Sequence, residues 1–342
     1  MDIDCDRLPV VLEATSRHAS RDLASLLDWC GAHQERIRTL LHSSGAVLFR
    51  GFDVENAEDF ARVARAAANQ PLTEYVAGVA RRKQIGDGIY TSTEYPPHVL
   101  MPCHNELSHT REWVSLIFFY CAVAPEDRGE TPLVDGRRVL RRMRPATVAA
   151  FKENGVEYVR YLHCGDGSGV LEKNVRVLDD SGYPYSVSWQ RTYGTTDKAL
   201  IEGKAREVGA EITWTKDDDL VWRERVPAIR RHPVTGEDCW FNHVVNFHPG
   251  RMPAAVRARL PEQEYPRNVR FGDGTTIDDA LIEEIRSCMN RGEILFPWQR
   301  GDVLMIDNML VSHGRRTFEG PRSILTAMAG PQHSAASPEV RS

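Results

Sequence analysis

The chain has 342 residues, 42 % of them hydrophobic and 27 % charged, with a formal net charge of −5. That length supports a large core without covalent staples, and the acidic balance excludes a dominant nucleic-acid role. Seven cysteines are an odd number and no two form a C-x-x-C pair. A complete disulfide set, a zinc ribbon and a thioredoxin-type motif are therefore excluded, and a reducing compartment is expected. Of 43 basic residues only six are lysines. The remaining arginines are rigid, bidentate binders of carboxylates.

In chain order, the N-terminus (MDIDCD) is acidic and has no apolar signal core. Residues 20–41 read as helical. The run 46–52 (AVLFRGF) reads as a buried strand closed by a Gly turn. Asn56 is placed to cap a helix whose apolar positions Phe60, Val63, Ala64 and Ala67 follow helical spacing. From Met101 onward the pattern is mostly strand: HNELSHT, then VSLIFFYCAV, then GETPLVDG. The longest apolar run, 116–125, is too short to span a bilayer. A helical stretch follows over 137–154, restarted by Pro145 and closed by Gly155. Strands at 156–161, 220–226 and 238–242 are mixed with a helix near 196–208, and another helix runs over 277–290. The last strands are 302–307 and 322–329. This order does not alternate βαβ, which disfavours a doubly wound parallel sheet. It points to a mainly β fold with α additions: an antiparallel barrel or jelly roll with inserted helices. One domain is expected over 1–330, with insert or lid elements at roughly 155–295 and a disordered tail at 331–342.

The chemical signal is His104-Asn105-Glu106. Two residues apart on a strand, an imidazole and a carboxylate project to the same face and can chelate one ion. The best third ligand is His313, at the end of an apolar strand and before Gly314. Two histidines and one carboxylate on one face leave open coordination positions, the arrangement of non-haem Fe(II) oxygenases. A zinc hydrolase is the competing metal reading, but the helical H-E-x-x-H spacing is absent. His104 and His109, like His243 and His248, are five apart and on strands would face opposite ways. They read as core or surface histidines. Asp217–Asp219 beside Arg223 and Arg225 reads as a solvated hairpin, and Gly165–Gly169 as a turn or lid. Arg81, Arg82 and Arg111 are candidates for a substrate carboxylate, with surface roles as the simpler reading.

The segments FRGF (49–52), HNELSHT (104–110), GETPLVDGRRV (129–139) and DNMLVSHGRRTFEGPRSILTAM (307–328) occur in an order that resembles the taurine dioxygenase (TauD/TfdA) superfamily. These are Fe(II)/2-oxoglutarate oxygenases. The resemblance covers most of the chain and is nearest to the SyrP-like branch, related to clavaminate synthase and amino-acid β-hydroxylases. It implies a double-stranded β-helix (jelly roll) core. It implies Fe(II) on His104, Glu106 and His313, and 2-oxoglutarate held by Thr131 and Arg322, with O2 as the other cosubstrate. The interval from His313 to Arg322 is short, so Arg316 is an alternative anchor. Glu106 stands where most of the superfamily has Asp, as it does in the clavaminate-like branch, and it argues against a halogenase.

The implied reaction is hydroxylation of an unactivated C–H in secondary-metabolite biosynthesis. The implied substrate is an amino acid, a peptide or an aminoacyl group on a carrier protein. Desaturation, epoxidation and cyclisation are alternative outcomes. A catalytically silent binding or regulatory protein on the same scaffold is the reading of another class, and the intact ligand set speaks against it. A cytoplasmic protein is expected, with no nucleic-acid and no membrane partner, and the sequence is compatible with a homo-oligomer.

Overall fold

The computed structural model describes residues 2–3, 8–14, 20–74, 82–92, 95–165 and 187–333. Its centre is the strand Glu112–Val123, buried on both faces. Alternate side chains of a strand point to opposite sides. Leu116, Phe118 and Tyr120 accordingly enter one core, and Ile117, Phe119 and Cys121 another. That double burial is why the segment reads as a continuous apolar run rather than an alternating one.

This strand lies inside an eight-stranded sheet. The order is Asp2–Ile3, Val10–Glu13, Ala46–Arg50, Val303–Asp307, Glu112–Val123, Ser323–His333, Ile89–Thr91 and Gln84–Gly86. All its pairings are antiparallel except Val10–Glu13 with Ala46–Arg50. One face packs on three helices, Leu23–Ala32, Gln34–Ser44 and Ala57–Ala68, through Leu26, Ile37, Leu41, Phe60 and Val63. Asn56 caps the third helix, its side-chain oxygen accepting from the amides of Glu58 and Asp59. The expected helix over 20–41 is two helices, broken at His33.

The other face meets a four-stranded sheet, ordered Glu293–Ile294, Leu133–Asp135, Val311–Arg315 and Met101–His104. One core joins the two sheets, with Leu48, Phe119, Leu304 and Ile306 from the large one and Leu133 and Val311 from the small one. A third sheet, ordered Glu211–Trp214, Leu220–Val226, Val156–Leu162 and Arg267–Phe271, falls in the expected insert. The fold is thus mixed α/β, with several sheets and interspersed helices. The sheets remain open: no closed barrel forms among the described residues.

Local corrections to the sequence reading are few. HNELSHT is not a strand: pairing stops at His104, and 105–110 form a tight turn with Leu107 at φ 57°. GETPLVDG contributes only Leu133–Asp135 to a strand. Asp219 is not solvated hairpin surface, because its carboxylate accepts the Tyr161 hydroxyl (2.5 Å) and the Cys164 amide (2.7 Å). The final strand runs through Pro331–His333, three residues whose composition suits a tail. Residues 334–342, most of the Gly165–Gly169 segment and Arg81 lie outside the described residues. No described helix is long and apolar enough to cross a membrane.

Candidate metal centre

The site forms where one edge of the small sheet, the pair Val311–Arg315 and Met101–His104, faces the large sheet. His104 ends one strand and is the direct cross-strand partner of His313 on the next. Cross-strand partners present their side chains on the same face. The two rings lie with centroids 4.7 Å apart, and His313 also packs on Phe119 at 4.9 Å. Close approach here requires Gly314. A Cβ at that position would lie 2.6 Å from the Met101 carbonyl oxygen and 3.1 Å from the Cys103 amide. The register also shifts between His313 and Arg315.

Glu106 reaches the same point by a different route from the one strand periodicity suggests. The turn carrying it is stapled to Asn308. The Asn308 side chain accepts the Glu106 amide (2.7 Å) and donates to the carbonyls of Glu106 (2.9 Å) and Val114 (2.8 Å). Asn105 returns a bond from its side chain to the Asn308 carbonyl (2.7 Å). Asn308 is fully buried, so each of these groups would otherwise lack water as a partner. One ligand atom each from His104, Glu106 and His313 then lie within 4.8 Å of one another.

The electrostatics suit a cation. Burial holds the His104 and His313 pKa values below the ordinary imidazole range, and His313 is pushed well below it with help from nearby His104 and Arg82. Both rings are therefore neutral, the form that binds metal. The Nδ1–H of His104 donates to the Pro102 carbonyl (2.9 Å), which leaves the Nε2 lone pair free. His313 Nε2 faces Glu106 Oε2 at 4.0 Å. Arg82 has no surface role: it is buried and donates to that same carboxylate at 2.5 Å. Cys103 points the other way, towards the Pro132 carbonyl and Glu293.

A narrow cavity opens beside the cluster, bordered by His104, His313, Thr131 and Arg322. The Trp298 indole donates to Thr131 Oγ1 (3.1 Å), so the hydroxyl proton of Thr131 remains available to an acceptor. Arg322 spends Nε on the Gly129 carbonyl (2.9 Å) and pairs with no carboxylate among the described residues. Burial, with repulsion from Arg315, lowers its pKa to about 10, so it is a cation at neutral pH. The alternative anchor, Arg316, is paired with Glu293 and does not border the cavity.

Sequence reasoning passed over Asn308 here, and it read His109 and His243 as core or surface histidines. The two histidines are buried and extend a row of rings from His104: His104–His243 at 5.1 Å and His243–His109 at 4.9 Å. The only hint of Asn308 was a polar residue ending an apolar strand, in DVLMIDN.

Two neutral imidazoles and a carboxylate beside an anion-ready cavity define a mononuclear non-haem metal enzyme. Residues 9–328 match the family model described as taurine catabolism dioxygenase TauD, TfdA family. The chain is 33 % identical over 322 residues to the dapdiamide synthesis protein DdaC of Enterobacter agglomerans, covering 93 % of this chain and 91 % of that one. It is 36 % identical over 295 residues to a clavaminate synthase-like protein of Arabidopsis thaliana, covering 85 % and 83 %. Its fold is similar to the crystal structure of PvcB from Pseudomonas aeruginosa, with TM-score 0.50 and 14 % identity over 94 % of this chain and 85 % of that one. The chain belongs to the TauD, TfdA family. It is an Fe(II)- and 2-oxoglutarate-dependent dioxygenase.

Proposed function

We propose that His104, Glu106 and His313 hold the Fe(II), and that Thr131 and Arg322 hold 2-oxoglutarate. The observation that carries this reading is the convergence of the three ligand atoms within 4.8 Å beside a cavity bordered by both cosubstrate residues. Bound iron supplies the oxidation: a substrate C–H, O2 and 2-oxoglutarate become an alcohol, succinate and CO2. The protein's part is positioning. His104 presents Nε2 because Pro102 fixes its tautomer. Arg82 donates to Glu106 Oε2, the oxygen that faces His313, and so fixes where the carboxylate points. Arg322 offers its two terminal nitrogens to the far carboxylate of 2-oxoglutarate, a fork that matches a carboxylate bidentately. Thr131 adds a hydroxyl donor.

The substrate on this reading is amino-acid-like, and the setting is cytoplasmic secondary-metabolite, antibiotic-type biosynthesis within the SyrP-like, clavaminate synthase-like branch. Support comes from relatives named for dapdiamide synthesis and for likeness to clavaminate synthase. The two facing sheets are read as the halves of a jelly-roll core within one domain. Hydroxylation is the expected outcome.

The test is anaerobic. Fe(II) and 2-oxoglutarate added to the protein should give a visible charge-transfer band, and O2 with an amino-acid substrate should then release succinate. A band of undiminished intensity in His313→Ala would sink the assignment.

A further inference from the structure

Arg160 and Glu224, two buried charges outside the metal centre, form no salt bridge among the described residues, although Arg230 lies close enough to Glu224 to act on it through space. In the insert sheet, Val156–Leu162 and Leu220–Val226 run antiparallel, with Tyr158 opposite Glu224 and Arg160 opposite Trp222. These four residues therefore share one face. Arg160 and Glu224 are each 3 % exposed. Neither forms an ion pair among the described residues. Arg160 donates through Nη2 to the Tyr193 hydroxyl (2.9 Å) and lies over the rings of Tyr193 and Trp222 at 5.9 and 5.5 Å. Its Nη1 has no partner among the described residues. Glu224 accepts only from neutral donors, the Arg111 amide (2.6 Å) and the Trp222 indole (3.0 Å).

Both residues line a cavity of about 410 Å³ together with Leu107, Trp113, Tyr193 and Trp222. Leu107 directly follows Glu106 in the chain, although this cavity shares no lining residue, among the described residues, with the one beside His104 and His313. The ring row that begins at His104 ends on Tyr158, which lies on the same sheet face as Arg160. The other cation lining the cavity, Lys204, is already spent on Glu112 (2.7 Å). Holding a buried charge without a salt bridge is costly, and Arg160 keeps an unspent buried N–H group at this cavity.

We infer that this cavity binds the charged end of a free α-amino acid, its carboxylate on Arg160 and its ammonium on Glu224. The two residues occupy diagonal positions on neighbouring strands of one face, so one zwitterion can engage both charged heads. The indole and phenol rings give its carbon skeleton an apolar wall. An aminoacyl thioester on a carrier protein has no free carboxylate and would leave Arg160 uncompensated. The inference rests on the proposed amino-acid-like substrate and selects its free form.

Calorimetric titration of the anaerobic protein, loaded with Fe(II) and 2-oxoglutarate, with each of the twenty proteinogenic L-amino acids tests it. At least one should bind. Its amide and its N-acetyl derivative should each bind wild-type protein at least tenfold more weakly, a result that needs no variant to fold. Arg160→Gln and Glu224→Gln should each weaken the parent amino acid at least tenfold and keep the charge-transfer band. The amide should be insensitive to Arg160→Gln, and the N-acetyl derivative to Glu224→Gln. Binding by none of the twenty, or binding in which both derivatives match the parent, overturns the inference while leaving the iron assignment standing. Loss of the band in wild-type protein would instead fell the iron assignment, and the same titration without iron would still decide this one.

Discussion

Two clusters in this protein hold two histidines and a carboxylate within 4.8 Å of one another: His104, Glu106 and His313, and His42, His232 and Asp307. Proximity is the same in both, and the availability of lone pairs is not. His232 Nδ1 accepts the amides of Val234 (3.2 Å) and Thr235 (3.0 Å), which places its proton on Nε2. That proton goes to Asp307 Oδ2 at 3.0 Å. Asp307 Oδ1 accepts the amides of Met309 and Leu310. His232 and Asp307 of the second cluster are thus spent on internal hydrogen bonds and anchor the turn before His313, whereas in the first only Glu106 gives an oxygen to an internal partner, Arg82. In the first, Pro102 takes only the proton of His104 Nδ1 and leaves Nε2 open. Donor bookkeeping, rather than distance, separates the candidate metal centre from a structural knot.

The sharpest way to break this comparison is a metal titration followed by thermal melting. Fe(II), or Co(II) as a spectroscopic substitute, should raise the Tm of wild type and of His232→Gln, and leave that of His104→Ala unchanged. A metal-dependent shift that disappears in His232→Gln would reverse the roles of the two clusters. Next in size, Asp307→Ala should cost about 3 kcal/mol or more in urea unfolding, because three buried donors lose their acceptor. Added metal should not restore it. Asn308→Ala should cost about 2–3 kcal/mol through the unpaired Glu106 and Val114 groups, and should also weaken metal retention because the turn holding Glu106 is released. The two losses together would mark Asn308 as the joint between structure and site.

The smallest effect is a pH dependence. Burial keeps His109 and His243 well below the ordinary pKa of 6.5. Below pH 6.5 the unfolded chain takes up protons that the folded chain refuses, so stability falls with falling pH. The slope approaches about 1.4 kcal/mol per pH unit for each such histidine. Neither ring nitrogen of His109 has a partner among the described residues. His109→Phe should therefore keep stability at pH 7.5 and lose about 1 kcal/mol less than wild type on going to pH 5.5, measured by urea melts.

What was readable in the sequence was local. Asn56 and the spacing of Phe60, Val63, Ala64 and Ala67 specify one helix completely, since cap and apolar stripe lie within a dozen residues. The three residues of the candidate triad were also named from local sequence, and the structure brings them together, although Glu106 arrives by a stapled turn and not by strand periodicity. What escaped was long-range. Arg82 on Glu106, Asn308 on the Glu106 turn, and Arg160 beside Glu224 without an ion pair depend on pairings that no local pattern encodes. Polar residues buried by distant partners look the same in sequence as polar residues on the surface.

The Asn308 staple has a consequence for how the protein is made. It joins positions 202 residues apart, and His313 arrives later still. A chain emerging from the ribosome carries His104 and Glu106 long before it carries the residues that orient them. Contacts of such sequence separation form late. With the proposed ligand set, iron loading belongs to the end of synthesis: until Asn308 docks, the nascent chain has two loose ligands and no centre, which keeps a redox-active ion off a half-folded protein.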